Sequence, residues 1–374
     1  MSPDFAGRRT AVRQALEQRE VESVLVTNLI NIRYLTGFTG SNAALLIYAG
    51  DTDADERTRI CTDGRYVSQV ATQVPDLQAI ISRACAEELI ERASTNEVGA
   101  ATSGVRTLGF ESHVATVEQF RGWEKLVSGG PELVSTPRIV EPLREVKDDF
   151  EVAQLRAACA CADAALAALL AAGGLRPGRS EKQVRRDLEN LMLEYGANGI
   201  AFETIVATGA NSAVPHHRPT DAVLAHGDFV KLDFGAQIGG YHSDMTRTYV
   251  LGAAADWQRD VYDLVARAQA AGRAALAPGA QVVDVDGAAR QVIADAGHGD
   301  LFLHGLGHGV GLEIHEAPGI GQRGSGTLSD GAAVTVEPGV YFSGRGGVRI
   351  EDTLVVREDG PELLTLTDKE LTLV

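Results

Sequence analysis

The spacing of apolar and polar residues changes character near residue 140. Before it, short patterns of different period follow one another. A helical spacing runs over 8–18, a buried-strand run covers Val24, Leu25 and Val26, and a half-apolar segment covers 31–35. Strand-like runs lie over 43–47 and 107–110, and a helical stretch over 84–93. This alternation predicts an α/β module. Beyond Lys147 an alanine-rich stretch keeps helical spacing over 148–172 and stops at Gly173-Gly174. The boundary falls between Val140 and Val146, which gives two domains, 1–141 and 142–374, each large enough for its own core.

The second domain contains an internal duplication. Leu175-Arg-Pro177-Gly178 recurs as Leu276-Ala-Pro278-Gly279, and each copy precedes a helical pattern; the first carries a capping-box signature in Ser180 and Gln183. Gly227-Asp-Phe-Val-Lys-Leu-Asp233-Phe-Gly235 recurs as Gly331-Ala-Ala-Val-Thr-Val-Glu337-Pro-Gly339, and Asp244-Met-Thr246 as Glu351-Asp-Thr353. Three matches in one order, at offsets of 101, 104 and 107 residues, predict two copies related by a pseudo-twofold within one curved sheet. Such a sheet brings an acid from each copy's first strand, Asp233 and Glu337, to an acid from each second strand, Asp244 and Glu351. Four carboxylates facing one cavity raise one another's pKa and cannot all ionise without cations.

Asp233 sits inside an apolar strand, where an acid is disfavoured unless paired or liganded. Lys231 shares its face, so an ion pair is the plain alternative. The duplication favours liganding, because Thr335 replaces the lysine in the second copy while Glu337 keeps the acid. Asp244 and Glu351 alone would read as solvated strand-end acids, and the shared acid-x-Thr pattern lifts them. His304-Gly-Leu-Gly-His308-Gly-Val-Gly-Leu-Glu-Ile-His315 places three histidines in a glycine-rich segment unsuited to the helical zinc motif. Together with His216-His217, which follow Pro215 in a turn over 211–219, they point to a pocket. Four carboxylates with one imidazole, His308, suit two exchangeable divalent ions: Mn first, with Co, Zn or Fe(II) as alternatives. A metal pair ~3.5 Å apart acidifies water and polarises a carbonyl, so the predicted reaction is hydrolysis.

Composition removes other classes. A formal net charge of -17 repels nucleic acid and anionic membrane surfaces. No run approaches 18 apolar residues and no signal-length stretch follows the first residues, so neither membrane insertion nor export is expected. Cys61, Cys85, Cys159 and Cys161 lack zinc spacing and are too sparse for a disulfide scaffold, which predicts buried thiols in a reducing, cytoplasmic compartment. There is no G-x-S-x-G elbow and no Walker A; the single G-x-G-x-x-G, at 319–324, follows a proline-bearing turn and opens no helix, so it reads as a loop. The first domain carries one histidine, His113, and no acid cluster, and is assigned to structure, oligomerisation or substrate gating. Its segment 62–66 reads as a turn with a solvated ion pair.

With these residues in view, the C-terminal part resembles the pita-bread metallopeptidases, the family of methionine aminopeptidase, aminopeptidase P and prolidase. The N-terminal module has a creatinase-like look, which narrows the resemblance to the Xaa-Pro group. The motifs that carry it are Leu-Asp233-Phe-Gly, Ser243-Asp244-Met-Thr-Arg247-Thr, His304-Gly-Leu-Gly-His308, Glu337-Pro-Gly-Val-Tyr341 and Gly347-Val-Arg349-Ile-Glu351-Asp352-Thr. The resemblance implies a creatinase-like α/β N-terminal domain followed by an α+β pita-bread catalytic domain. It implies that Asp233 chelates one metal, His308 and Glu337 bind the other, and Asp244 and Glu351 bridge both. Glu337 is then expected to assist proton movement, while His216, His304 and His315 line the substrate site, position the scissile carbonyl and stabilise the gem-diolate. Arg349 and Tyr341 orient the ligands. The implied substrates are proline-containing dipeptides or short peptides, acted on by a homodimer. Some dipeptidase members carry an arginine shortly after the His-Glu-x-Pro turn; here His315-Glu-Ala-Pro318 is followed by Gly319, which leaves Arg218 or Arg345 for that role. The alternatives are a metallohydrolase of the same fold acting on a non-proline amide, and a non-catalytic peptide-binding homologue.

Overall fold

The structure, a computed structural model, describes residues 2–50, 55–95 and 104–374. It forms two compact units that meet between Arg144 and Glu145. This lies three residues past position 141, because the short helix Glu141–Glu145 is tied to the N-terminal unit. Tyr34 Oη donates to the Leu143 carbonyl and Arg144 Nη1 to Asn31 Oδ1, both at 2.9 Å.

The N-terminal unit is built on a six-stranded sheet. Its strands are β1 (Ser23–Val26), β2 (Ala43–Tyr48), β3 (Arg59–Thr62), β4 (Gln78–Ile81), β5 (Thr107–Phe110) and β6 (Glu132–Ser135), in the order β4-β3-β2-β1-β5-β6. The β1–β2 and β2–β3 pairings are antiparallel, and the outer pairings are parallel. Strands β1, β2 and β3 are buried throughout, as continuous apolar runs demand, whereas the edge strands β4 and β6 are largely exposed. The half-apolar segment at 31–35 belongs to the helix Leu29–Thr36, opened by Asn28 accepting from Ile30 N and Asn31 N. The 62–66 segment contains a single 3₁₀ turn, in which buried Asp63 pairs with exposed Arg65 at 2.8 Å.

In the C-terminal unit the duplication becomes two helix pairs, Asp149–Ala171 with Glu181–Glu194, and Asp256–Ala274 with Val282–Asp295. The repeated Leu-x-Pro-Gly string is the connection inside each pair. Gly178 and Gly279 adopt φ of +89° and +81° there, a left-handed conformation that costs a Cβ-bearing residue about 1 kcal/mol or more. Asp148–Glu151 and Ser180–Gln183 form capping boxes at the first two helices. The helix Asp149–Ala171 is, among the described residues, the one long and apolar enough to cross a membrane, yet half of its apolar window is buried within the protein. Its apolarity has a local cause: Ala162, Ala165, Leu166 and Leu169 pack with Val184, Leu188, Leu232 and Phe234 in the core of the first half. The second half has its own core around Val265, Ala268, Val285, Val334, Val336 and Leu354.

Each half then contributes an antiparallel ladder. Phe229–Phe234 pairs with Met245–Val250 and with Ile205–Thr208; Ala333–Val336 pairs with Asp352–Val355 and with Gly307–Gly309. The copies are offset along their ladders: Asp233 faces Thr246, whereas Thr335, two residues before Glu337, faces Thr353. A shift of two preserves the face to which every side chain points. The 319–324 string begins in the strand Glu316–Ile320 and continues into a turn, so its first glycine lies in a strand that the sequence does not predict; no helix follows it.

Candidate metal centre

The acids converge because the two ladders are stitched together by the threonines of the acid-x-Thr motifs. Thr246 Oγ1 donates to Glu351 Oε2 at 2.6 Å, and Thr353 Oγ1 donates to the Asp244 carbonyl at 2.8 Å. Each threonine thus holds the acid-bearing residue of the other copy. Thr248 Oγ1 adds a bond to the Arg349 carbonyl at 2.9 Å. The result is a cavity of about 290 Å³ lined by Asp233, Asp244, His308, Glu337 and Glu351. His216, His315 and Arg218 stand around the same cavity.

These side chains lack sufficient fixed positive charge. Arg349, 1 % exposed, makes an ion pair with Asp233 and lies 3.9 Å from Glu337 Oε2. Lys231 does not join them; its Nζ turns to backbone carbonyls instead. The oxygens Asp233 Oδ1 and Asp244 Oδ1 are buried without a hydrogen-bond partner, a costly state for a carboxylate unless something else satisfies it. Burial, and then the neighbouring carboxylates, hold Asp244 and Glu351 well above the ordinary carboxyl range. Burial pushes Glu337 up to about 8.

His308 has its lone pair aimed at the acids. Its Nδ1 donates to the Gly309 carbonyl at 3.0 Å, which leaves Nε2 unprotonated, 3.5 Å from Asp244 Oδ2 and 3.4 Å from Glu337 Oε1. Burial lowers its pKa to about 4, so the ring is neutral at pH 7. The flanking glycines are required by close approach: a Cβ at Gly307 would lie 2.0 Å from the Thr335 carbonyl, and one at Gly309 2.0 Å from that of Ala317. Atoms of Asp244, His308 and Glu351 lie within 4.8 Å of one another, the one such grouping among the described residues. Orphaned oxygens, a free imidazole lone pair and excess carboxylate fit divalent cations.

The remaining expected residues divide. His315 stacks edge-on against His308, ring centres 4.4 Å apart, and burial lowers its pKa. His304 is not among the cavity-lining residues. Its Nδ1 donates to Gly305 O and its Nε2 accepts from Tyr341 Oη, which in turn accepts from Arg349 Nη1 at 2.8 Å. His304 therefore reaches the acids from behind, with Nδ1 4.0 Å from Glu337 Oε2. Arg345 lies elsewhere, 3.9 Å from the Trp257 ring centre in a separate cleft. Arg218 does line the cavity, paired with Glu203 at 3.0 Å. Sequence reading missed Glu181. Fully buried, it accepts from Thr208 N, Asn211 Nδ2, His217 Nε2, Thr220 N and Thr220 Oγ1, and so closes the loop that carries the paired histidines. Its only sequence signal is an acid in a helix's first turn, which is too common to single out.

Two like halves with acids meeting at their seam, in a chain that also carries an α/β domain, define a metal-dependent hydrolase of the pita-bread fold. The chain belongs to metallopeptidase family M24, whose model matches residues 153–358, while the creatinase/prolidase N-terminal domain matches residues 8–146. A solved Xaa-Pro dipeptidase from Bacillus anthracis superposes with a TM-score of 0.92 at 36% identity, over 99% of this chain and 100% of that one. An X-Pro aminopeptidase from Thermotoga maritima gives 0.85 at 30% identity, over 96% and 98%. The Xaa-Pro dipeptidase of Pyrococcus furiosus is 33% identical across 95% of this chain and 97% of its own length.

Proposed function

We propose that this protein hydrolyses the peptide bond between an N-terminal residue and proline in a metal-dependent reaction. The observation that carries the reading is the set of buried carboxylates, two of whose oxygens are orphaned, that shares one cavity with the unprotonated nitrogen of His308. Similarity to the Xaa-Pro dipeptidases and the X-Pro aminopeptidase supports the substrate class.

Asp233, Asp244, His308, Glu337 and Glu351 would hold the metals, with Asp244 and Glu351 shared. When bound, the ions supply an electrophile for the scissile carbonyl and a water acidic enough to attack it. Mn, ahead of Co or Zn, suits a donor set dominated by carboxylate oxygen. The chain's own groups do the rest. Arg349 holds Asp233 and Tyr341 in place, and Tyr341 fixes the His304 ring. The Glu337 carboxylate would move a proton towards the leaving proline nitrogen, which has no hydrogen of its own. His216 and His315, which line the cavity, would orient the substrate carbonyl. All four cysteines are buried, unpaired thiols, which supports a reducing, cytoplasmic setting.

The test compares Xaa-Pro, Xaa-Ala and Xaa-Pro-Yaa before and after EDTA. Xaa-Pro turnover falls on the order of a thousandfold on chelation and returns with Mn or Co. Hydrolysis that survives chelation, or that favours Xaa-Ala, overturns the reading.

A further inference from the structure

Lys231 is a buried basic residue of the C-terminal unit that the proposed chemistry leaves unused. It is 0 % exposed, on a strand that also carries Asp233, yet no ion pair joins the two. Its Nζ donates to three backbone carbonyls, of Ser212 at 3.1 Å, Val214 at 2.8 Å and Pro215 at 3.3 Å. The three carbonyls belong to the segment that immediately precedes His216. Arg349 Nη1 reaches the same Pro215 carbonyl at 3.2 Å, and Gly347 N donates to Ser212 Oγ at 2.9 Å.

The duplicated half performs the same task with a different residue. Thr335 occupies the repeat position of Lys231, and its Oγ1 accepts from the backbone N–H of His308 at 3.0 Å. In both copies this position therefore reaches from the central strand to the histidine-bearing segment of its own half. In the second half that segment is a neighbouring strand, within reach of a threonine. In the first half it is a loop beyond the strand Ile205–Thr208, and only a long side chain spans the gap.

We propose that Lys231 is a positioning residue whose side-chain amine clamps the 212–215 backbone and so sets His216 and Arg218 at the cavity rim. This rests on the peptidase reading only for its effect on turnover. The clamp itself is read by backbone hydrogen exchange, so the two ideas fail separately.

The experiment uses Lys231→Met, which removes the amine, and Lys231→Gln, which keeps an amide donor and sustains the test if the first variant does not fold. Amides within 209–219 exchange about tenfold faster in Lys231→Met, with Lys231→Gln between it and wild type. Protection across Phe229–Phe234 and Mn affinity stay as in wild type. On Xaa-Pro dipeptides, kcat/KM falls about 10- to 100-fold in Lys231→Met. Unchanged exchange over 209–219 overturns the clamp, whatever the activity. Loss of protection spread evenly over the unit, with Mn affinity falling in step, overturns it in favour of a general packing role. A wild-type protein that hydrolyses no Xaa-Pro substrate while the exchange pattern holds refutes the peptidase reading and leaves the clamp intact.

Discussion

Two buried aspartates, one in each domain, are held in opposite ways. In the N-terminal unit, Asp55 is met by Arg9 Nε at 2.8 Å, Arg13 Nη1 at 2.5 Å and Thr58 Oγ1 at 3.2 Å, and Arg9 also bonds Asp76. Two guanidiniums face two carboxylates, and both Asp55 oxygens have partners. In the C-terminal unit, Asp244 stands with Asp233, Glu337 and Glu351 in one cavity, the buried Arg349 serves that group, and Asp244 Oδ1 has no partner. Burial alone therefore does not mark a site. A cluster whose charge is closed by its own residues is architecture, and one left open to added cations is chemistry.

The same substitution at both positions tests that contrast most strongly. Asp244→Asn removes a ligand expected to be shared, so turnover of Xaa-Pro falls by more than about a thousandfold and bound metal is lost. Apo-protein stability holds or rises, because the amide is an uncharged isostere of a carboxylate whose ionised form is disfavoured. Activity and metal content, read by mass spectrometry and assay, decide this. A metal-loaded, active variant sinks the shared-ligand role. Asp55→Asn does the reverse. It removes the carboxylate that both Arg9 and Arg13 bond in a buried site, costs about 3 kcal/mol and lowers Tm by roughly 10 °C, with metal affinity unchanged. Equal Tm values for Asp55→Asn and wild type would mean that the N-terminal ion cluster contributes nothing.

Proton linkage sharpens the comparison. Asp244, Glu337 and Glu351 are raised in the apo fold, so between their unfolded range and their folded values the native state binds more protons than the unfolded chain. Stability then falls as pH rises. His304 and His308, lowered to about 3 and about 4, act the other way, but only below about pH 6.5, where unfolded histidine takes up its proton. From pH 6.5 to 8 the three carboxyl groups outnumber the buried Lys231, whose lowered pKa acts the other way. Apo-protein Tm should decline across that window by several degrees, and saturating Mn should flatten the slope. Thermal scans in matched buffers measure it, and a flat apo profile would mean that the acids do not face one another as described.

Much of this arrangement is legible in the chain because duplication is a sequence property. The Leu-x-Pro-Gly turns, the strand acids and the acid-x-Thr pairs all sit where their repeats lead one to expect, and the Gly173-Gly174 stop ends its helix on time. What escaped depends on reach across space. Lys231 and Asp233 share a strand face, which suggests an ion pair, but the carbonyls of 212–215 and Arg349 sort the two apart. Glu181 reads as an ordinary first-turn acid until five donors are seen to converge on it. Thr353 has no visible purpose until the other half supplies the Asp244 carbonyl. His304 shares a motif with His308, and each ring donates from Nδ1 to the carbonyl of the next glycine, yet only His308 lines the cavity, because Tyr341 Oη takes the Nε2 of His304. No local pattern encodes these choices.

The smallest expected effect lies at the rim, where the open cluster meets solvent. Arg218 lines the cavity but is 84% exposed along its side chain and already paired with Glu203 at 3.0 Å. A dipeptide ends in a carboxylate one residue past the scissile bond, while Xaa-Pro-Yaa places an amide there, so a rim arginine distinguishes them by charge. Solvent screening and the competing Glu203 keep the effect small. Arg218→Ala should raise KM for Xaa-Pro dipeptides about fivefold at low salt, leave kcat nearly unchanged, and spare Xaa-Pro-Yaa. Glu203→Gln should lower the same KM by freeing the guanidinium. If Arg218→Ala weakens both substrates alike, the arginine serves the loop rather than the carboxylate, and length preference must be set by another part of the molecule.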